Sequence, residues 1–201
     1  MGNRKTLGQT VLDLFGNLGN LLAEANLPEG TVRAYLFGGC AVHMYVNSRL
    51  SVDIDAEFDY NLIHREDVLL ALSRLRPIDF EHPGLGPFLL DLDPRFTTTL
   101  CPLHVDYQDR AVQLELGQRN TVPLTVWLPS PLDLAISKLG RFSTVDIDDI
   151  LLLLKQPGAC WAEFERLAME SSQYYVGPDL AGAIAHLKWR YQERGDDDFG
   201  D

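Results

Sequence analysis

Between Thr10 and Ala25 the apolar residues Val11, Leu14, Phe15, Leu18, Leu21, Leu22 and Ala25 recur at spacings of three and four. That spacing predicts a helix with one buried face. Pro28, Glu29 and Gly30 stop it, and the compact apolar run Val32–Phe37 reads as a strand ending in Gly38-Gly39. Cys40–Val46 forms a short helix behind those glycines, and Ser51–Phe58 alternates polar with apolar as a half-buried strand does. A second helix is predicted from His64 to Leu75, with Val68, Leu69, Leu72 and Leu75 on one side and Pro77 beyond it. The segment EHPGLGPFLLDLDP, Glu81–Pro94, reads as irregular because Pro and Gly interrupt it. Strands are then predicted at Leu103–Tyr107, Ala111–Leu116 and Val122–Leu128.

The pattern changes at Ser130. Ser130 can cap a helix, Pro131 suits its first position, and Asp133 in the first turn favours the helix dipole. This predicts a helix through about Phe142, followed by one capped by Ser143 or Thr144 that ends before Pro157-Gly158. Two more are predicted at Trp161–Ser171 and Asp179–Arg194. The fold class is therefore α/β (α+β): a small mixed sheet flanked by helices over residues 1-128, a helical region over 129-195, and an acidic tail, 196-201, expected to be disordered.

Charge narrows the function classes. With 29 acidic residues against 17 basic ones the formal net charge is -12, which argues against broad, sequence-independent binding to a phosphate backbone. Cys40, Cys101 and Cys160 have neither zinc-site spacing nor the even count of a disulfide framework, so they read as reduced thiols. No apolar run approaches the ~20 residues of a spanning helix. The expectation is a soluble, cytoplasmic protein with no membrane partner.

The candidate chemistry lies in LFGGCAVHMYVNSRLSVDIDAEF, Leu36–Phe58. On a strand Asp53 and Asp55 share a face, with roughly 6.5 Å between their Cα atoms. Two carboxylates that close suit a hard divalent cation, and Mg²⁺ takes one or two such ligands together with water and substrate phosphates. An exposed edge strand would show the same alternation, but apolar Val52, Ile54 and Phe58 give this strand a buried side. Gly38-Gly39, at a strand-to-helix turn, lets backbone N–H groups approach an anion. Together the two halves describe a phosphate cradle beside a metal, as a nucleoside triphosphate needs.

The stretch GGCAVHMYVNSRLSVDID resembles the GG…R-x-[ST]-x-D-I-D signature of minimal nucleotidyltransferases of the DNA polymerase beta superfamily, especially AbiEii/AbiGii-type abortive-infection toxins and related families of unknown function. SKLGRFSTVDIDDI resembles their later helical motif through Lys138, Arg141, Asp146 and Asp149. The resemblance implies a nucleotidyltransferase fold that moves an NMP from an NTP to a hydroxyl with Mg²⁺ or Mn²⁺. It implies that Gly38 and Gly39 hold the triphosphate and that Asp53 and Asp55 bind metal. A third carboxylate is expected from a later strand, with Asp106 preferred as both metal ligand and catalytic residue and Glu115 as the alternative. Arg49, Ser51, Lys138 and Arg141 are expected on the nucleotide, while Asp146 and Asp149 either anchor Lys138 or Arg141 or cap their own helix. The acceptor hydroxyl is expected on a protein, a tRNA or other RNA, or a small molecule, and a cognate antitoxin is an expected partner. The rival expectation is the same fold binding nucleotide or a partner protein without catalysis.

Overall fold

The computed structural model describes residues 5–47, 50–93, 95–117 and 123–197. The chain divides into two compact units, Met1–Phe96 with Ala111–Pro129, and Thr97–Arg110 with Ser130–Asp201.

In the first unit the Thr6 hydroxyl accepts the Gln9 N–H and caps α1 (Leu7–Glu24). Leu7, Val11, Leu14, Phe15, Leu18 and Leu22 form its buried face. Each fully buried side chain of that size contributes about 1.5–3 kcal/mol, so this stripe rather than helix propensity holds α1 on the sheet. The remaining elements are β1 (Val32–Phe37), α2 (Gly38–Val46), β2 (Asp53–Tyr60), α3 (Arg65–Arg74), β3 (Ile78–His82), β4 (Gly86–Leu92), β5 (Val112–Leu114) and β6 (Leu124–Leu128). The strands form one mixed sheet in the order β3-β4-β2-β1-β6-β5. β1 runs antiparallel to β2 and parallel to β6, while β2 runs parallel to β4. Along β2, β4 and β6 the buried residues alternate, with Ile54, Ala56, Leu90, Leu92, Leu124, Val126 and Leu128 on the core side. α1 packs against β3, β6, α2 and α3.

The segment expected to be irregular is a hairpin. β3 and β4 pair from Ile78↔Leu90 to His82↔Gly86, and Gly86 supplies the positive φ of 89° that the turn needs. Pro87 is tolerated because the β2–β4 register involves only Asp53↔Asp91 and Ile54↔Leu92, beyond its missing N–H. The strand expected at Leu103–Tyr107 is instead a turn: Tyr107 N–H donates to the His104 carbonyl (3.1 Å), and Asp106 N–H donates to His104 Nδ1 (3.2 Å). Val122 lies outside the described residues.

The second unit contains α4 (Pro131–Ser137), α5 (Thr144–Leu153), α6 (Trp161–Ser171) and α7 (Leu180–Asp197). Ser130 accepts the Asp133 N–H, and Pro131 opens α4. The helix ends at Ser137 rather than near Phe142. Gly140 lies where a Cβ would meet Tyr175 Oη at 2.7 Å and Pro102 Cδ at 2.9 Å, and Phe142 takes a left-handed φ of 49°. Ser143 and Asp146 form a capping box that starts α5. α4 packs on α5 and α6, and α6 on α7. The Thr97–Arg110 excursion, assigned by the sequence to the sheet core, belongs to this unit. It is fastened by Arg110, whose Nε and Nη2 donate to Asp133 at 3.0 and 2.6 Å, and by His104 Nε2, 2.9 Å from Glu170 Oε2. α7 continues through Asp197, into the expected tail, and residues 198–201 lie outside the described residues.

Candidate active site

Phe37 and Asp55 are register partners in the β1–β2 ladder, so Gly38 comes to lie directly beside Asp55. Gly38 has φ +64°, and a Cβ built on it would fall 1.8 Å from Asp55 Oδ2 and 2.8 Å from its Cγ. Only glycine allows the backbone and the carboxylate to approach this closely. Gly39 is buried in the first turn of α2. Cys40 Sγ lies 3.5 Å from the carbonyls of both Ser51 and Asp53, and Ser51 Oγ donates to the Asp53 carbonyl at 3.2 Å. The helix start is thus stitched to the approach of β2.

Asp53 is exposed and Asp55 half-buried, while Ile54 between them is fully buried. The predicted alternation is therefore present and faces away from the core. Sequence reasoning passed over the neighbouring strand. The register pairs Asp53 with Asp91, and backbone N–H groups of Asp91 and Asp93 donate to the carbonyls of Val52 (3.2 Å) and Ile54 (2.9 Å). Adjacent strands are about 4.8 Å apart, and equal parity puts Asp91 and Asp93 on the sheet face of Asp53 and Asp55. Asp91 Oδ1 accepts the Leu92 N–H, and Asp93 Oδ1 accepts the Arg95 N–H, both at 2.9 Å. The signal was the second D-x-D, Asp91-Leu92-Asp93, concealed by the surrounding Pro and Gly.

Among the described residues no three His, Cys, Asp or Glu side chains converge into a ready-made metal cage. The donor set fits a different kind of site, in which one or two hard carboxylate ligands leave the remaining positions to water and phosphate oxygens. Asp53 and Asp55 could supply such ligands, and at Gly38 it is backbone, with no Cβ, that comes up against Asp55.

Of the other predicted residues, Ser51 stands on the approach to β2, and Arg49 lies outside the described residues. Glu115 is exposed just past β5, and β5 is separated from β2 by β1 and β6. Three strand spacings make about 14 Å. Asp106, Lys138 and Arg141 belong to the second unit. The Asp106 side chain is exposed in its turn, 3.9 Å from His104 Nδ1. Lys138 and Arg141 are not on one helical face but in the turn after α4. Lys138 Nζ is buried 2.9 Å from Asp149 Oδ2 and 3.7 Å from Asp146 Oδ1. Arg141 donates through Nε and Nη2 to the two oxygens of Asp146 at 2.7 and 2.6 Å. Burial alone would raise the Asp146 carboxyl, but the Arg141 fork and the Ser143 hydroxyl and N–H hold it well below the usual carboxylate range. Asp146 and Asp149 thus anchor both cations, as the sequence allowed.

A family model described as "Nucleotidyltransferase of unknown function (DUF6036)" matches residues 16–195. No curated protein gives a significant match. Among solved structures, a solution structure of the antibiotic-resistance factor ANT(2'')-Ia aligns at 19% identity and a TM-score of 0.46, covering 90% of this chain and 98% of that one. A crystal structure of ANT(2")-Ia in complex with adenylyl-2"-tobramycin aligns at 19% identity and 0.44, covering 83% and 99%.

Proposed function

The chain belongs to the DUF6036 family of nucleotidyltransferases, and from that premise we propose that it transfers an NMP from an NTP to a hydroxyl at the Gly38–Asp55 site. The observation that carries the proposal is the 1.8 Å that would separate a Gly38 Cβ from Asp55 Oδ2, because it makes the glycine turn and the carboxylate strand parts of one site.

Asp53 and Asp55 would hold Mg²⁺ or Mn²⁺, which when bound neutralises phosphate charge and lowers the pKa of the attacking hydroxyl. The N–H groups of Gly38 and Gly39, at the start of α2, receive the phosphates. Ser51 is assigned to the nucleotide, as is Arg49 from the resemblance alone. For the third carboxylate the β2–β4 register favours Asp91 over Asp106 and Glu115: it lies one strand from Asp53, where it can accept the acceptor's proton. A cytoplasmic setting suits three cysteines that have neither zinc-site spacing nor the even count of a disulfide framework. A toxin held by a cognate antitoxin fits the resemblance, and the net charge of -12 suits a basic protein partner.

The test is incubation with each labelled NTP, Mg²⁺ or Mn²⁺, and a cell extract whose protein, RNA and small-molecule fractions are counted separately. Label should enter one fraction with wild-type protein and none with the Asp53→Ala, Asp55→Ala variant. Transfer that persists unchanged in the variant refutes the proposal, and the labelled fraction identifies the acceptor class.

A further inference from the structure

We infer that Phe96 is a positioning residue for the transfer: its ring, seated on Phe37, braces the exit of β4 against the end of β1 and so keeps Asp91 beside Asp53. The inference rests on the reading of Gly38–Asp55 as the transfer site. Phe37, Phe96 and the aspartates of β2 and β4 all belong to the first compact unit. Phe37 and Asp55 are partners across the β1–β2 ladder, and cross-strand partners share a face of the sheet. The Phe37 side chain, 1% exposed, therefore stands on the face that carries Asp53, Asp55, Asp91 and Asp93. The Phe96 ring stacks on it, with centroids 5.7 Å apart and planes inclined by 27°.

β2 lies between β4 and β1, so this ring pair joins the two strands that flank the carboxylate strand. The two flanks are held very differently. β1 pairs with β2 along its whole length, from Val32↔Tyr60 to Phe37↔Asp55. β4 pairs with β2 only at Asp53↔Asp91 and Ile54↔Leu92, and the Asp93 N–H donates to the Ile54 carbonyl at the end of the contact. So short a ladder opens at low cost, and Asp91, the proposed proton acceptor, sits within it. Beyond it the chain turns back. Asp93 Oδ1 accepts the Arg95 N–H at 2.9 Å, and the Phe96 N–H donates to the Asp93 carbonyl at 3.3 Å. That turn delivers the half-buried Phe96 ring to Phe37. Rigid rings with two χ angles each stack at small entropic cost, which suits them to fastening a weak ladder. Without the Phe96 ring, Asp91 is free to drift from Asp53, while the glycine turn and the β2 carboxylates stay fixed by the longer β1–β2 ladder. The loss therefore falls on turnover rather than on NTP binding.

The test uses the NTP and the extract fraction that wild type labels, with rates taken across NTP concentrations, amide exchange followed by NMR, and a melt that confirms folding. Phe96→Ala should lower kcat about 10²-fold, as a displacement of about 1 Å does, and leave KM for the NTP within about threefold. Phe96→Leu keeps apolar bulk on Phe37 and serves where the alanine variant fails to fold; it should lose about tenfold. In both variants the Asp93 N–H should exchange faster while the amides of the β1–β2 ladder keep their wild-type rates. In an Asp91→Asn background, Phe96→Ala should cost less than about threefold more, because the group it positions is already disarmed. A further 10²-fold loss in that background would show that Phe96 acts other than through Asp91 and would overturn the inference. Unchanged Asp93 exchange, or a loss carried by KM with kcat intact, would overturn it equally. If wild type transfers no label, or the Asp53→Ala, Asp55→Ala variant transfers as wild type does, the reading of the site fails instead, and this inference falls with it.

Discussion

Replacing Gly38 by Ala tests whether the glycine turn and the aspartate strand form one site. The new Cβ would lie 1.8 Å from Asp55 Oδ2, whereas ordinary van der Waals contact begins at 3.4 Å, so the carboxylate must retreat by about 1.6 Å. Misplacement of a reacting group by about 1 Å costs on the order of 10²-fold in rate, so nucleotidyl transfer should fall at least that far. The same change also introduces an L-residue at φ +64°, a left-handed conformation that costs about 1–2 kcal/mol. Gly30→Ala separates the two effects. Gly30 has nearly the same φ, +67°, but nothing lies within 4 Å of its Cβ position. Urea unfolding should show a loss of about 1–2 kcal/mol in Gly30→Ala and at least that in Gly38→Ala, which adds the clash with Asp55, while only Gly38→Ala loses transfer and metal-dependent NTP binding. Equal activity in the two variants would show that the contact with Asp55 is irrelevant to function, and the central argument for the site would fail.

Other predictions test the supports. Arg110→Met leaves Asp133, 0% exposed, without its bidentate partner, and because Arg110 is itself 29% exposed we expect the lower end of the usual penalty, about 3 kcal/mol, read by thermal and urea melts; a loss below about 1 kcal/mol would mean that water or Ser130 compensates. In a comparison of neutral variants, Asp91→Asn should abolish transfer at least about 10²-fold while Glu115→Gln, at the far side of the sheet, stays near wild type; the reverse ranking would remove Asp91 from the site. Because the folded Asp146 carboxyl is held below its ordinary value of 3.8, its contribution to stability is complete above that pH and is lost as pH falls through the depressed value. The urea midpoint of wild type should therefore fall below about pH 4, and Asp146→Asn should be less stable near neutral pH but flatter through the acid range.

The parts of the site that could be read in the sequence are those a single stretch of chain brings together. Gly38-Gly39 and Asp53-x-Asp55 are joined by one short helix, and the β1–β2 ladder returns the strand to the glycine, so local spacing was sufficient. Asp91 has the same alternation but a non-local cause. Its place beside Asp53 is set by parallel pairing of β2 with β4, which no periodicity reports, and the Pro87 that argued against a strand is harmless because β4 meets β2 only two residues at a time. Asp106 shows the converse error. Leu103-His104-Val105-Asp106-Tyr107 has the composition of a strand, but the His104 ring accepts the Asp106 N–H and bends the chain into a turn. Helical spacing likewise placed Lys138 and Arg141 on one face, whereas the crowding of Gly140 by Tyr175 and Pro102 belongs to a turn that sends one cation inward and leaves the other exposed. The two residues look alike in sequence because both are basic and both face Asp146. They differ in burial: Lys138 is enclosed between Asp146 and Asp149, whereas Arg141 stays exposed while keeping its bond to Asp146, a difference that the basic character they share does not report.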